Sequence, residues 1–206
     1  MARPTGTMGY GKDAEALAQQ YEEVPFERVH GHLLRWLPSA AGRAVDIGAG
    51  SGRDAAALAA RGHEVVAVEP TPELRQVGRR LHGDAPIDWV DDALPALPRL
   101  RGTFDLVLLS AVWMHLDERE RVDGMRRLAE LTAPGGCVAM TLRHGPPPAG
   151  RWMFAVTAAE TIALAERSGL VAVDQGETPD WLARPHVRWS TLVFREQGST
   201  VDGRAG

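Results

Sequence analysis

The residues best suited to do chemistry begin with Ala44-Val45-Asp46-Ile47-Gly48-Ala49-Gly50-Ser51-Gly52. A short apolar run that ends in closely spaced glycines leaves bare backbone against which a ligand can lie. The helix expected next adds N–H groups and a dipole that favour negative charge at the same place. Glu69 ends the following apolar run, Glu64 to Val68. A carboxylate there can accept hydrogen bonds from both hydroxyls of a ribose. Together these residues point to a nucleoside-containing cofactor. Two details bear on which one. The glycines follow G-x-G-x-G, and Arg53 stands where the dinucleotide fingerprint G-x-G-x-x-G needs its third glycine. Asp46 stands two residues before the first glycine. A carboxylate gains nothing beside a pyrophosphate, but it gains from a ligand ammonium group.

The elements that must position these groups follow from pattern. Ala44 to Ile47, Glu64 to Val68, Ile87 to Val90, Phe104 to Leu109 and Cys137 to Leu142 read as strands. Asp54 to Arg61, a helix starting at Thr71-Pro72, and Glu118 to Leu131 lie between them. On the last of these, Val122, Met125, Leu128 and Leu131 are expected on one side. Pro134-Gly135-Gly136 reads as a tight turn. Thr157 to Ser168 is a further helix, and Leu170 to Val173 and Thr191 to Arg195 are the last strands. Before the first strand, apolar residues at helical spacing between Asp13 and Leu37, broken by Pro25, predict two short helices. Strand–helix alternation implies an α/β fold, a parallel sheet with helices on both faces. Right-handed crossovers then gather the loops after the strands along one sheet edge. Those loops carry the glycines, Glu69, Asp92, Ser110 to His115 and Arg143-His144, and an open sheet binds its ligand there.

Composition bounds the rest. A chain of 206 residues suits one α/β domain, and its net charge of −4 argues against a basic nucleic-acid binder. Only Lys12 among the 23 basic residues is a lysine, so mechanisms that need several lysines are out. Cys137 stands alone, which excludes an intramolecular disulfide and a thiolate metal site, and no metal is expected. No apolar leader and no apolar run long enough to span a membrane is present, so a soluble cytoplasmic protein is expected. The expected layout is a flexible start (1–9), a single domain (10–196) with a helical cap (10–42) and a cofactor-binding core (44–143), and a disordered tail (197–206).

The sequence resembles the class I S-adenosylmethionine-dependent methyltransferases. VDIGAGSG matches that family's glycine motif, VVAVEP its acidic strand end and DDALPAL its third motif; FDLVLLSAVWMHL and LTAPGGCVAMTLR match its fourth and fifth strands. The match runs in order over residues 44–143. The resemblance implies a three-layer, Rossmann-like sandwich with a seven-stranded, mostly parallel sheet and a C-terminal antiparallel strand, for which Thr191 to Arg195 is available. It implies S-adenosylmethionine as cofactor. Gly48, Ala49 and Gly50 would lie against its methionine portion, with Asp46 ordering that loop. Glu69 would hold the ribose hydroxyls, with Pro70 against the adenine, and Asp92 would meet the adenine amino group, with Ala93 contributing backbone. Ser110 and Ala111 would line the sulfonium. Tyr21 is a candidate for the methionine carboxylate, or else belongs to an apolar helix face, and Tyr10 lies in the same segment.

Methyl transfer is an in-line displacement, so the enzyme mainly aligns the acceptor and excludes water. A base is needed only if the acceptor must lose a proton. His115 is the candidate base, or else a histidine that packs at its loop. Arg143 is the candidate contact for an acidic acceptor, or else a surface ion pair. Trp113 and His144 share their loops. Trp152, Trp181, Trp189, His186 and Arg188 are available to wall an acceptor pocket, or to fill the core, and Cys137 is expected to be buried. The residues after the fourth strand, Ser110-Ala111-Val112-Trp113, lack the N-P-P-Y pattern of base methylation. One lysine cannot furnish a ribose methyltransferase tetrad, and Cys137 does not follow a proline. These absences favour a small-molecule or short-peptide acceptor. A protein or RNA methyltransferase, a non-catalytic S-adenosylmethionine-binding regulator and a nicotinamide dinucleotide protein are the alternatives; Asp46 and Arg53 argue against the last. The N-terminal helices would cover the cofactor or face a second subunit of a homodimer.

Overall fold

The computed structural model describes residues 5–38 and 40–196. Residues 1–4 of the expected flexible start and the whole expected tail, 197–206, lie outside the described residues. The alternation read from sequence forms one seven-stranded sheet. Its strands are β1 (Arg43–Ile47), β2 (Glu64–Val68), β3 (Ile87–Val90), β4 (Phe104–Leu109), β5 (Thr132–His144), β6 (Leu170–Thr178) and β7 (Arg188–Glu196). Their order is β3-β2-β1-β4-β5-β7-β6. The pairs among β1 to β5 are parallel, and β7 runs antiparallel to both neighbours. The fold is the expected Rossmann-like α/β sandwich.

Alternation along the strands sorts side chains to the two faces. Val45, Val107, Leu109, Val138 and Met140 meet Met125, Leu128 and Leu131 of α5 (Glu118–Leu131) and Leu164 and Ala165 of α6 (Ala158–Arg167). Ala44, Val65, Ala67, Leu106 and Ala139 meet Ala55 and Leu58 of α3 (Arg53–Ala59) and Phe26 of α2 (Phe26–His30). Each fully buried aliphatic side chain of this kind contributes roughly 1.5–3 kcal/mol. Asp46 has the parity of Ala44, so the period of two directs a carboxylate into the α3 side. α1 (Ala14–Glu22) packs through Ala14 and Ala18 on Leu74 and Val77 of α4 (Pro72–Leu81). Residues 5–7 form a 3-10 turn against the turn at Trp113–His115. Among the described residues no helix is long and apolar enough to cross a membrane.

Three local readings are corrected. Pro134-Gly135-Gly136 is not a free turn but a bulge within β5: Phe104 pairs with Thr132 and Leu106 with Cys137, so five steps on β5 face two on β4. The last strands are longer than expected, because β6 and β7 pair, past a register shift between Ala172 and Asp174, out to Thr178 and Trp189. α4 starts as expected, with Thr71 at the N-cap and Pro72 in the first turn; Thr71 makes no side-chain capping bond, and its N–H donates to Glu69. On α5 the inward face is Arg121, Gly124, Met125, Leu128 and Leu131, while Val122 is 50% exposed. Arg121 occupies the core position with its stem. Its guanidinium donates to the Leu116 carbonyl at 2.8 Å and pairs with Glu160 at 3.0 Å.

Arg121→Ala is therefore expected to cost about 2–3 kcal/mol, at the low end for a buried pair because water reaches Glu160. Val122→Ala is expected to change stability by less than about 0.5 kcal/mol. Urea titration of both variants decides between the two helix faces.

Candidate active site

The C-terminal ends of β1 to β5 open onto one cavity of about 610 Å³. Every residue named above for the cofactor lines it, from Tyr21 through Asp46, Gly48, Ala49, Gly50, Glu69, Pro70, Asp92, Ala93 and Ser110 to Ala111, as do His115 and Arg143. The glycine loop has the backbone that only glycine adopts freely. Gly48 has φ +76° and Gly50 φ +56°, and a Cβ on Gly48 would collide with Val112. A Cβ on Gly50 would press on the Tyr21 ring at 3.3 Å. Ala111 is also left-handed, at φ +58°, and its N–H donates to Thr141 Oγ1 at 2.9 Å, which holds the strained turn beside Ser110.

Three carboxylates define one half of the cavity. Glu69 is buried; its Oε2 accepts from the Gly50 N–H at 2.9 Å and its Oε1 from the Thr71 N–H at 2.7 Å. Burial raises its pKa, against the lowering by those hydrogen bonds and by Arg75. Asp92 accepts from the Ala93 N–H at 2.9 Å and the Arg99 N–H at 2.6 Å, so it shapes the loop that Ala93 begins. Asp46 differs from both. It is 1% exposed, and neither carboxylate oxygen has a hydrogen-bond partner among the described residues. Burial, then the nearby Asp54 carboxylate, pushes its pKa well above the usual range.

The sign of that shift gives a prediction. A carboxyl with a raised folded-state pKa contributes most below the unfolded pKa, and its contribution is lost as pH rises through the raised value. Asp46→Asn is expected to raise the stability of the free protein at neutral pH by about 1 kcal/mol, a Tm gain of roughly 2–4 °C. The gain should vanish near pH 4. Melting curves of both proteins from pH 4 to pH 8 test this.

The other half of the cavity is built by the N-terminal segment, the turn after β4 and the long antiparallel strands. His115 is held at both nitrogens. Nδ1 lies 2.9 Å from the Trp152 carbonyl, which can only accept, so Nδ1 carries the proton. Nε2 then accepts from the Tyr10 hydroxyl at 3.0 Å. Burial lowers the His115 pKa, with Arg151 and Arg143 adding to the effect against the Trp152 hydrogen bond, so the ring is neutral at pH 7. Burial, foremost, raises the pKa of the Tyr10 hydroxyl, which keeps its proton. Arg151 stacks over the Tyr10 ring at 3.9 Å and pairs with Asp13 at 3.3 Å. Arg143 is 7% exposed, and its side chain's hydrogen-bond partners among the described residues are the Gly145 carbonyl, at 3.2 Å, and Met153 Sδ, at 3.8 Å.

Not every candidate reaches the cavity. Trp113 is fully buried in the core instead. His144 is outside too, bonded to Ser190 Oγ at 2.8 Å, and Trp152 is 58% exposed. His186 and Arg188 do not line it, whereas Trp181 and Trp189 do. Cys137 is buried, and burial pushes its thiol up to about 11.

Sequence reasoning missed the role of Arg53 and Asp54. Arg53 donates to Asp54 at 2.7 Å and to the carbonyls of Tyr21 and Val24, while His30 Nε2 donates to Asp54 at 2.9 Å. This network fastens α1 and α2 to α3 and sets Tyr21 over Gly50. Its one visible signal was a charged pair directly after the glycines, where a surface position would otherwise be expected.

Residues 44–136 match the model of a family described as a methyltransferase domain. The demethylmenaquinone methyltransferase of Clavibacter sepedonicus is 34% identical over 111 residues, 53% of this chain and 44% of that protein. This chain thus spans less than half the length of the first curated relatives it matches. The TehB-like SAM-dependent methyltransferase from Corynebacterium glutamicum superposes with TM-score 0.68 at 20% identity, over 90% of this chain and 98% of that one. The 1,6-didemethyltoxoflavin N1-methyltransferase of Burkholderia thailandensis superposes with TM-score 0.62 at 20% identity, over 95% and 91%. These structural likenesses concern the fold. Residues 44–136 are thus similar to a methyltransferase domain, on the fold that these solved methyltransferases share.

Proposed function

We propose that this chain transfers the methyl group of S-adenosylmethionine to a small-molecule acceptor. The observation that carries the reading is one cavity with two unlike halves. The first has a buried, unpartnered Asp46 beside left-handed Gly48 and Gly50, with Glu69 at the next strand end. These residues fit the cofactor. Asp46 and the glycine loop suit its amino-acid portion, with Tyr21 above. Glu69 suits its ribose, and Pro70, Asp92 and Ala93 suit its adenine. Ser110 and Ala111 face the point between the two halves. When bound, the cofactor supplies a methyl group on a cationic sulfur, already activated toward displacement.

The chain's own groups then have three tasks. The N-terminal segment, through Thr7, Tyr10 and Asp13, closes the cavity and excludes water. Nε2 of neutral His115 receives a proton that the acceptor must shed, by way of the Tyr10 hydroxyl that already points at it. Arg143 orients an acceptor group from the end of β5. The walls leave room for a compact molecule or the tip of a short peptide, which favours these over a folded protein or RNA. The lone buried Cys137 fits a cytoplasmic setting.

Calorimetric titration with S-adenosylhomocysteine, with NADH as control, tests the cofactor. Micromolar binding of the first alone is expected, and binding of NADH alone overturns the reading. Methyl label from S-adenosylmethionine incubated with extract should enter the small-molecule fraction; label confined to macromolecules would reverse the acceptor assignment.

A further inference from the structure

Arg143 ends up beside Trp189 because the antiparallel register pairs them directly, and Trp189 pairs in turn with Thr178 on β6. All three line the acceptor half of the cavity. Each other arginine that lines the cavity is paired with a carboxylate. Arg184 grips Asp180 through two nitrogens, at 2.6 and 3.0 Å, Arg53 holds Asp54 and Arg151 holds Asp13. Asp180 lies near Arg143 but is saturated, since the Trp189 indole also donates to it at 2.9 Å. Among the described residues no carboxylate pairs with Arg143, and its Nε has no partner although it is buried. A buried guanidinium without a counter-charge costs stability, and it persists where a ligand supplies the charge. Asp13, Asp54 and Asp180 of the cavity are the other arginines' partners, and Asp46, Glu69 and Asp92 stand in the half proposed for the cofactor, so Arg143 is the lining arginine without a carboxylate partner among the described residues.

We propose that the methyl acceptor bears a carboxylate that binds Arg143, with an apolar body lying against Trp189 and Met153. This rests on the methyltransferase reading and narrows its substrate to small organic acids. A planar guanidinium meets a carboxylate through two parallel hydrogen bonds, and the Arg143 Nε has a hydrogen bond that no described residue fills. The indole face and the thioether offer apolar surface at the same depth. Neutral Tyr10 and His115 add no competing negative charge.

The test uses benzoate and indole-3-acetate, each against its primary amide, titrated into the full chain with and without S-adenosylhomocysteine. The carboxylates are expected to bind about tenfold or more tightly than the amides. Arg143→Met should abolish that preference while the Tm of the free protein stays level or rises, because an unpaired buried charge has been removed. A merely structural arginine would instead lower the Tm and leave the preference. Arg143→Gln, measured in parallel, covers the case in which the methionine variant fails to fold. Equal binding of acid and amide, a preference that survives in the variants, or no binding of either acid overturns the proposal. Failure of S-adenosylhomocysteine to bind would count against the cofactor reading, and the acid–amide comparison in its absence still decides this one.

Discussion

Replacing Glu69 with alanine is expected to weaken S-adenosylhomocysteine binding by about 2–3 kcal/mol, roughly 30- to 150-fold. Two losses combine. The carboxylate that would accept from the ribose hydroxyls is gone, and the N–H groups of Gly50 and Thr71, which it holds at 2.9 and 2.7 Å, are left without it. The first loss acts on the ligand directly. The second loosens the glycine loop that must lie against the ligand, because Gly50 is held in its left-handed conformation partly by that bond. Calorimetry on Glu69→Ala and Glu69→Gln separates the two. The amide keeps one acceptor for a backbone N–H, so Glu69→Gln should retain more of the affinity. Unchanged affinity in both would mean that the ribose lies elsewhere.

Asp54→Ala is expected to cost about 3–5 kcal/mol of folding stability. Asp54 is 4% exposed and accepts from two buried donors, the Arg53 guanidinium at 2.7 Å and His30 Nε2 at 2.9 Å. Removing it leaves Arg53 without a counter-charge and the His30 N–H without an acceptor, and releases the clamp between α3 and the N-terminal helices. Burial pushes its pKa up, but the His30 and Arg53 charges and hydrogen bonds together hold it well below the usual carboxylate range. A depressed folded-state pKa contributes stability above the unfolded pKa, and that contribution is lost as pH falls through the folded value. The difference between wild type and variant should be full at pH 7 and shrink below about pH 4. Urea titrations at those two pH values measure it. A difference under about 1 kcal/mol at pH 7 would show that Arg53 and His30 find other partners.

The clamp also shows which parts of the site were readable in advance. Gly48, Glu69 and Asp92 were legible because each belongs to a local pattern, a strand end followed by a particular residue type. Arg53 was noticed only as the residue that breaks a dinucleotide fingerprint. Its work is to reach the carbonyls of Tyr21 and Val24, some thirty residues back in the chain, and no local pattern records such a reach. Trp113 misled for the complementary reason. A tryptophan in a loop after a strand suggests a ligand wall, but this loop turns inward and Trp113 fills the core under α5. Val122 misled because residue type stood in for position. The stem of Arg121 is as good a core filler as valine once its charged end finds Glu160 and the Leu116 carbonyl.

The sequence by itself determined the strand–helix order, the sheet edge on which the chemistry gathers and the residues that line the half of the cavity proposed for the cofactor. Those depend on short-range physics: a period of two or of 3.6, glycines where φ is positive, and acids at strand ends. Only the tertiary structure decided what the acceptor half is made of. Arg143, Trp189 and Thr178 meet through a β5–β7–β6 register that pairs residues far apart in sequence. Tyr10 meets His115 across more than a hundred residues. Whether an arginine is paired or left over depends on every carboxylate around it in space. That census is settled when the long strands and the N-terminal segment close over the sheet edge, and among the described residues that line the cavity it leaves Arg143 as the arginine without a carboxylate partner.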